Sequence, residues 1–307
     1  MMHSENVSDR LKHLTDELEN FESMITYLLP QPGEVPRLHG IDIFGGTLAL
    51  NGLVGGDHLI YVDFKQRFNL QARINQESRP EVADSLRRCQ TMAGVALIDV
   101  SGHRVTDALL AAMLHQAFLL GAIYELDMFG QITRRLFEHL NTRFYKSSGA
   151  HKFVSLIYGE ITEDARFRFL TAALPFPAVF SSRHDRFMEI SPDVCVSFPP
   201  LGLMPSLDGI DRSTVGSPLG IKDHYEMNEW TLMGIGDILL LHTDGLSDHR
   251  RDAVHYFPHR LEGTLREVKH LTAREIFEAV ATDLVAFSRP ADDVSLVVIK
   301  RTGSAVQ

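Results

Sequence analysis

The chain has 307 residues, of which 44% are apolar and 23% charged, with a formal net charge of −10. That length suits one large domain or two small ones, and the acidic balance argues against a nucleic-acid footprint and against electrostatic docking on anionic lipid. Two cysteines, Cys89 and Cys195, give no disulfide framework and point to a reducing, cytoplasmic compartment, and residues 1–10 are polar, without the apolar region of a signal peptide.

The first predicted element is a helix over 5–29. Val7, Leu11, Leu14, Leu18, Phe21, Ile25 and Leu28 recur at alternating steps of four and three, a heptad seam with charged residues between. Pro30 and Pro32 end it. The seam either pairs between two chains, giving a dimer and a route for a regulatory signal, or lies on its own domain. Residues 31–38 read as a linker. Strand-like runs follow at 41–50 and 59–64, with Gly55-Gly56-Asp57 at the entrance to the second. Two glycines before an acid imply a close backbone approach or a simple hairpin turn. Residues 65–92 are charged and polar and read as an insertion, a flap or solvated surface, with one short helix over 80–89 that starts on Pro80.

The stretch 95–121 is the centre of the chain. A short apolar run, 95–98, reads as a buried strand that ends on Asp99; Ser101 and Gly102 then turn the chain into a long apolar helix from about Arg104. A carboxylate between a hydrophobic strand and a hydrophobic helix is costly unless it is paired or holds a cation, and the adjoining helix N-terminus suits an anion such as phosphate. The alternative is that Asp99 and Ser101 only cap the helix. The most apolar run, 108–123, is broken by His115 and Gln116 and is short for a membrane span, so it reads as a core helix. A second helix is predicted over 127–145. Short strands at 152–159, 167–172, 178–180 and 186–190 read as antiparallel sheet. A Gly-, Pro- and Ser-rich loop covers 199–220, and strands return at 225–232 and 237–242. A weak helical region, a clear helix over 273–287 and a final buried strand over 294–299 complete the chain.

Four acids stand at strand ends: Asp57, Asp99, Asp244 and Asp292, with Asp293 adjacent. Carboxylates that converge on one point repel one another unless cations neutralise them. Oxygen-only ligands suit Mg²⁺ or Mn²⁺, and a pair of such ions activates water and neutralises a phosphoryl group. No P-loop and no H-E-x-x-H pattern occurs. His249, His255 and His259 could suggest a metal but read as solvated surface, and Ser101 reads as a turn residue rather than a nucleophile.

Taken in order, Gly55-Gly56-Asp57, Asp99-Val100-Ser101-Gly102-His103, Thr243-Asp244-Gly245 and Asp292-Asp293-Val294-Ser295-Leu296 resemble the PPM (protein phosphatase 2C-like) metal-dependent phosphatases. Within them the chain is similar to the bacterial branch of stage II sporulation protein E and RsbU-type regulators, over about residues 30–300. Leu28-Leu29-Pro30 resembles the helical linker before that domain in RsbU-like proteins. The resemblance implies an α+β fold: an α-β-β-α sandwich of two mainly antiparallel sheets flanked by helices, over residues 31–301, with an N-terminal helical extension over 1–30 and a tail over 302–307. It implies a protein serine/threonine phosphatase with two divalent cations, Mn²⁺ or Mg²⁺. Asp99 would bridge them, the Val100 backbone carbonyl would bind one, Asp244 and Asp292 would complete the other shell, and Asp57 would act at or just beyond these ligands. Activated water would attack phosphoserine or phosphothreonine without a phosphoenzyme. The implied substrate is a phosphorylated anti-sigma-factor antagonist in a partner-switching pathway, and the helix from 104 to 121 matches the element that couples regulatory input to metal binding.

The chain departs from the pattern at Arg104, where glycine is usual, at Thr106 and Asp107, where small residues are usual, and at Ile60, where a second acid is common. The usual Ala-Gly-His-x-Pro turn appears as Ala172-Ala173-Leu174-Pro175-Phe176-Pro177, without its histidine. Arg104 at the helix start either holds the substrate phosphate or faces solvent. Two other functions share these residues: a non-catalytic scaffold of the same fold, and a two-metal phosphoesterase acting on small substrates.

Overall fold

The computed structural model describes residues 2–31, 33–50, 55–101, 105–147, 152–207, 219–231 and 233–303. Arg104, with Gly102 and His103, lies outside the described residues, as do residues 208–218 of the predicted 199–220 loop. In chain order, α1 (Met2–Thr26) is followed by β1 (Ile41–Leu48), β2 (Asp57–Asp63), α2 (Phe64–Arg67), α3 (Leu70–Gln76), α4 (Pro80–Arg88), β3 (Met92–Val100), α5 (Val105–Phe129) and α6 (Arg134–Ser147). The strands β4 (Val154–Thr162), β5 (Phe167–Ala172), β6 (Ala178–Ser181), β7 (Arg186–Phe187), β8 (Ser197–Phe198), β9 (Asn228–Trp230) and β10 (Ile238–His242) come next. The chain closes with α7 (Asp244–Ser247), β11 (Arg250–Arg251), β12 (Val254–His255), α8 (His259–Val268), α9 (Ala273–Phe287) and β13 (Val294–Arg301).

Two sheets form, in the orders β1-β13-β10-β6-β7 and β2-β3-β4-β5-β8, with β9 on β5. Their pairings are antiparallel apart from β5 with β8. Alternation along each strand decides which layer a side chain joins. On β2 and β3, Leu59, Tyr61, Val95 and Leu97 face the other sheet, where they meet Leu239, Leu241, Val297 and Ile299. The intervening Ile60, Val62, Ala96 and Ile98 face the opposite way, onto Leu114, Phe118 and Ala122 of α5 and Phe137 of α6. On the far side Leu240, Leu296 and Val298 pack on Ile276, Val280 and Leu284 of α9 and Leu261 and Leu265 of α8. The result is the α-β-β-α sandwich that the resemblance implies.

Three expectations are corrected. Residues 65–92 are not a solvated flap: Phe64, Phe68, Leu70, Val82, Leu86 and Cys89 are buried in the same core as α5, so α2, α3 and α4 belong to the helical layer. The central helix does not stop near 121. It continues to Phe129, about 37 Å in all, and the next helix starts at Arg134 rather than 127. Over Asp107–Phe129 it is therefore long and apolar enough to cross a membrane by length and composition. Here it packs Ala108, Ala111, Leu114, Phe118, Ala122 and Leu126 into the core and leaves Leu109, Met113, Leu120 and Met128 exposed. Finally, α1 ends at Thr26, four residues ahead of Pro30. Its seam residues Val7, Leu11, Leu14 and Leu18 face outward, while Ile25 is buried.

Candidate active site

The strand register assembles the acids. Asp57 pairs with Asp99 across β2 and β3, and both continue the row of side chains that faces the second sheet. At the corresponding end of that sheet, β10 runs into Thr243 and Asp244, and β13 starts just after Asp292 and Asp293. Thr243 Oγ1 donates to Asp57 Oδ2 at 2.8 Å and accepts the Ser295 backbone N–H at 3.0 Å. Ser295 Oγ lies 2.6 Å from Thr47 Oγ1. Thr243 and Ser295 are both fully buried, and this polar chain ties the two sheets together beneath the acids.

Asp57 is buried, Asp99 half-buried, and Asp244 and Asp292 exposed, so the cluster opens from a closed floor to solvent. Burial pushes the Asp57 carboxyl well above the usual carboxylate range, and the Asp99 charge pushes it further, against the hydrogen bonds from Thr243 and Ser295. Asp99 is pushed up to about 7, by burial first and then by the charges of Asp244, Asp292 and Asp293. Asp244 is raised by burial, by Asp248 and by Asp292. Each acid is thus held near others of the same sign. Val100 closes β3 with its side chain buried on the helix side, and its N–H donates to the Gly56 carbonyl at 3.2 Å. Ser101 is a turn residue, as expected: its Oγ accepts the Phe153 N–H at 3.3 Å and its carbonyl accepts Lys152 Nζ at 2.6 Å. Lys152 also reaches Asp107 in the first turn of α5, at 2.6 Å, so one side chain links Ser101 to the start of that helix.

The two adjacent acids divide in role. Asp293 is 3% exposed and accepts the backbone N–H of Leu50 (2.7 Å) and of Gly56 (2.8 Å) on its two oxygens. A Cβ on Gly55 would fall 1.9 Å from Asp293 Oδ2, and one on Gly245 would fall 2.0 Å from the Asp293 carbonyl oxygen. Both glycines are therefore required by close approach to one residue. Asp292 is free of that task and faces outward, accepting only the Asp293 N–H at 2.9 Å among the described contacts. Sequence reasoning noted Asp293 only as a neighbour and gave no role to Thr243, Ser295 or Lys152; of these, Thr243 and Ser295 carried a signal, since both stand within the short motifs around Asp244 and Asp292. His249 is also corrected. It is buried, with Nε2 3.1 Å from the Leu284 carbonyl, rather than solvated, whereas His255 and His259 are exposed. Behind Asp57, His58 and His115 share a 2.6 Å hydrogen bond. Burial lowers both, to about 3 and about 4, so the pair is neutral at physiological pH.

The donor set fits hard divalent cations by chemistry, because it consists of carboxylate and carbonyl oxygens. Among the described residues no three His, Cys, Asp or Glu side chains already close around a point, so the acids border a site rather than forming a finished cage.

The buried Asp293 is expected to bear on stability and the exposed Asp292 not. Urea unfolding with chelator present should show Asp293→Ala destabilised by about 2–3 kcal/mol through two lost charge-assisted bonds, and Asp292→Ala changed by less than about 0.5 kcal/mol. The raised Asp99 pKa fixes a pH trend. Its cost to the cation-free fold is absent below the ordinary carboxylate range and grows as pH rises to about 7. Thermal melting with chelator should therefore place Asp99→Asn above the wild type at pH 8, with the gap closing toward pH 4; equal melting at both would contradict the assigned repulsion.

The family model of stage II sporulation protein E (SpoIIE) matches residues 90–302. Among solved structures, the RsbU and RsbW domains of a Mycobacterium tuberculosis protein superpose with a TM-score of 0.60 at 17% identity, covering 90% of this chain and 65% of that one. The PP2C phosphatase domain with a regulatory fragment of SpoIIE from Bacillus subtilis gives 0.57 at 15% identity, over 85% of this chain and 63% of that one. The chain thus spans somewhat less than two thirds of either. The SiaA PP2C domain of Pseudomonas aeruginosa gives 0.60 at 16% identity, over 95% of this chain and 98% of that one. At these identities the superpositions speak for the fold. No curated protein matches by sequence. The match over residues 90–302, more than half of the chain, shows that the chain belongs to the stage II sporulation protein E (SpoIIE) family.

Proposed function

We propose that the acid cluster hydrolyses phosphoserine or phosphothreonine on a partner protein, of the anti-sigma-factor-antagonist type, in a cytoplasmic partner-switching pathway. The observation that carries this reading is the register that sets Asp57 opposite Asp99, with Asp244 and Asp292 close enough to raise the Asp99 pKa. Asp99, Asp244, Asp292 and the Val100 carbonyl are the groups that would hold two divalent cations, Mn²⁺ or Mg²⁺. When bound, the ions would neutralise the acids, make water nucleophilic near neutral pH and screen the phosphoryl charge. Asp57, fixed by Thr243 and Ser295, would orient the attacking water from the closed side of the site. Asp244 and Asp292, on the open side, leave room for a phosphorylated side chain presented from outside. Water attacks phosphorus, the serine or threonine oxygen leaves and takes a proton, and inorganic phosphate is released; no side chain is phosphorylated. Arg104, the residue before α5 in sequence, is a further candidate for holding the phosphate.

The N-terminal helix is proposed to pair with that of a second chain. Four consecutive seam residues, Val7, Leu11, Leu14 and Leu18, are 42–67% exposed, and such a face is stabilised by a like partner.

Hydrolysis of p-nitrophenyl phosphate should require Mn²⁺ or Mg²⁺, cease with chelator and fall by at least about a hundredfold in Asp99→Asn. Full activity of that variant would place the chemistry elsewhere. Removal of residues 1–29 should convert a dimer to a monomer in sedimentation equilibrium; a truncated chain that still sediments as a dimer would locate the interface outside the seam.

A further inference from the structure

The segment between Asp244 and Asp292 builds a second feature that the acid cluster does not use. Directly after α7, the β11–β12 hairpin folds back over the C-terminal end of α9. His249 is drawn inside, against the rings of Tyr256 and Phe287 at 5.7 Å each. Ser288 Oγ donates to the Arg250 carbonyl at 2.9 Å and lies 3.1 Å from His249 Nε2. The hairpin is therefore fastened to the chain four residues ahead of Asp292 and begins three residues after α7, whose first residue is Asp244.

A cavity of about 700 Å³ opens between the hairpin and α9. Phe257 and Phe287 give it an apolar wall, and Arg251, His255, His259 and Arg260 stand around it. The Arg251 guanidinium lies over the Phe287 ring, 4.9 Å from its centroid. Arg260 is already paired with Asp283. Arg250, Arg251 and Arg289 are exposed and form no ion pair among the described residues. The acids on the hairpin and its flank are Asp248 and Asp252, while Glu262 and Asp283 farther along are paired with Arg266 and Arg260.

Cations gathered around a cavity on the segment that joins Asp244 to Asp292, on a chain of net charge −10, call for an anionic occupant. A phosphoprotein brings a phosphate and its flanking carboxylates toward a surface that repels both. A basic rim with an aromatic wall, on the stretch of chain that runs from one outward-facing acid to the other, offsets that repulsion and takes an apolar side chain together with acidic ones. We propose that the hairpin cavity is a docking subsite for an acidic segment of the substrate protein, flanking its phosphorylated residue. The proposal rests on the phosphatase reading of the acid cluster.

The test uses the full chain, a phosphoserine peptide flanked by glutamates, the same peptide flanked by alanines, and p-nitrophenyl phosphate. In the wild type, kcat/KM should favour the glutamate peptide, and the preference should shrink as salt rises. Charge reversal in Arg250→Glu/Arg251→Glu should lower kcat/KM for that peptide about tenfold, mainly through KM, with little change for the alanine peptide. Because Arg251 packs on Phe287, the milder Arg250→Gln/Arg289→Gln variant provides a second reading with a smaller loss of the same kind. Equal use of both peptides by the wild type, or unchanged KM in both variants, would overturn the proposal. Failure to hydrolyse p-nitrophenyl phosphate would instead count against the phosphatase reading. Docking is then decided by anisotropy of a labelled, unphosphorylated glutamate peptide, where weaker binding by the variants supports the subsite and equal binding rejects it.

Discussion

Like charges held together at the rim of an apolar core are the constraint on which the rest of this structure depends. Asp57 and Asp99 are carried there by strand alternation: the row that contributes Leu59, Tyr61, Val95 and Leu97 to the inter-sheet core ends in two carboxylates set opposite each other. A hydrophobic row would have been better packed at that place. The acids persist because the second sheet supplies Thr243 and Ser295 beneath Asp57 and because the cluster opens toward solvent at Asp244 and Asp292. Such an arrangement stores repulsion that a bound cation releases, which links occupancy of the site to the stability of the sandwich itself.

The loops around the cluster are positioned by a single residue. Asp293 gathers two backbone donors from the segment before β2 and at the same time lies close against Gly55, two residues before Asp57, and Gly245, next to Asp244. Its partner in sequence, Asp292, makes no comparable contacts and stays exposed to solvent. Two acids side by side thus serve opposite ends, one closing the structure and the other leaving it open.

Much of this was legible in the chain. β5 and α9 lie at the residues that alternation and helical period predict, and the four acids fall where apolar runs end. Other features were hidden for physical reasons. The buried positions of α2 to α4, such as Phe64, Phe68, Leu70, Val82 and Leu86, are separated by charged residues that face water, so their short helices look like surface when read as a block. The helix read to 121 runs on, and Gly121 lies within α5 where Leu136 of α6 packs against it. His249 looked polar in a polar stretch, and only the fold brings Tyr256, Phe287 and the Leu284 carbonyl around it. The Thr243–Ser295 link joins residues 52 positions apart, and no local pattern announces a contact of that kind.

The close packing around Asp293 also bears on how members of such a family drift apart. Gly55, Gly245 and Asp293 interlock through space that no side chain can enter, so they answer to folding whatever the protein does. On the proposed function, Asp292 answers to chemistry alone. A descendant that abandoned catalysis and survived as a binding protein would keep the glycines and the second acid of the pair while the first wandered. Within these short signatures, the identity of the residue at position 292 is therefore a more telling mark of a working enzyme than the signatures taken whole.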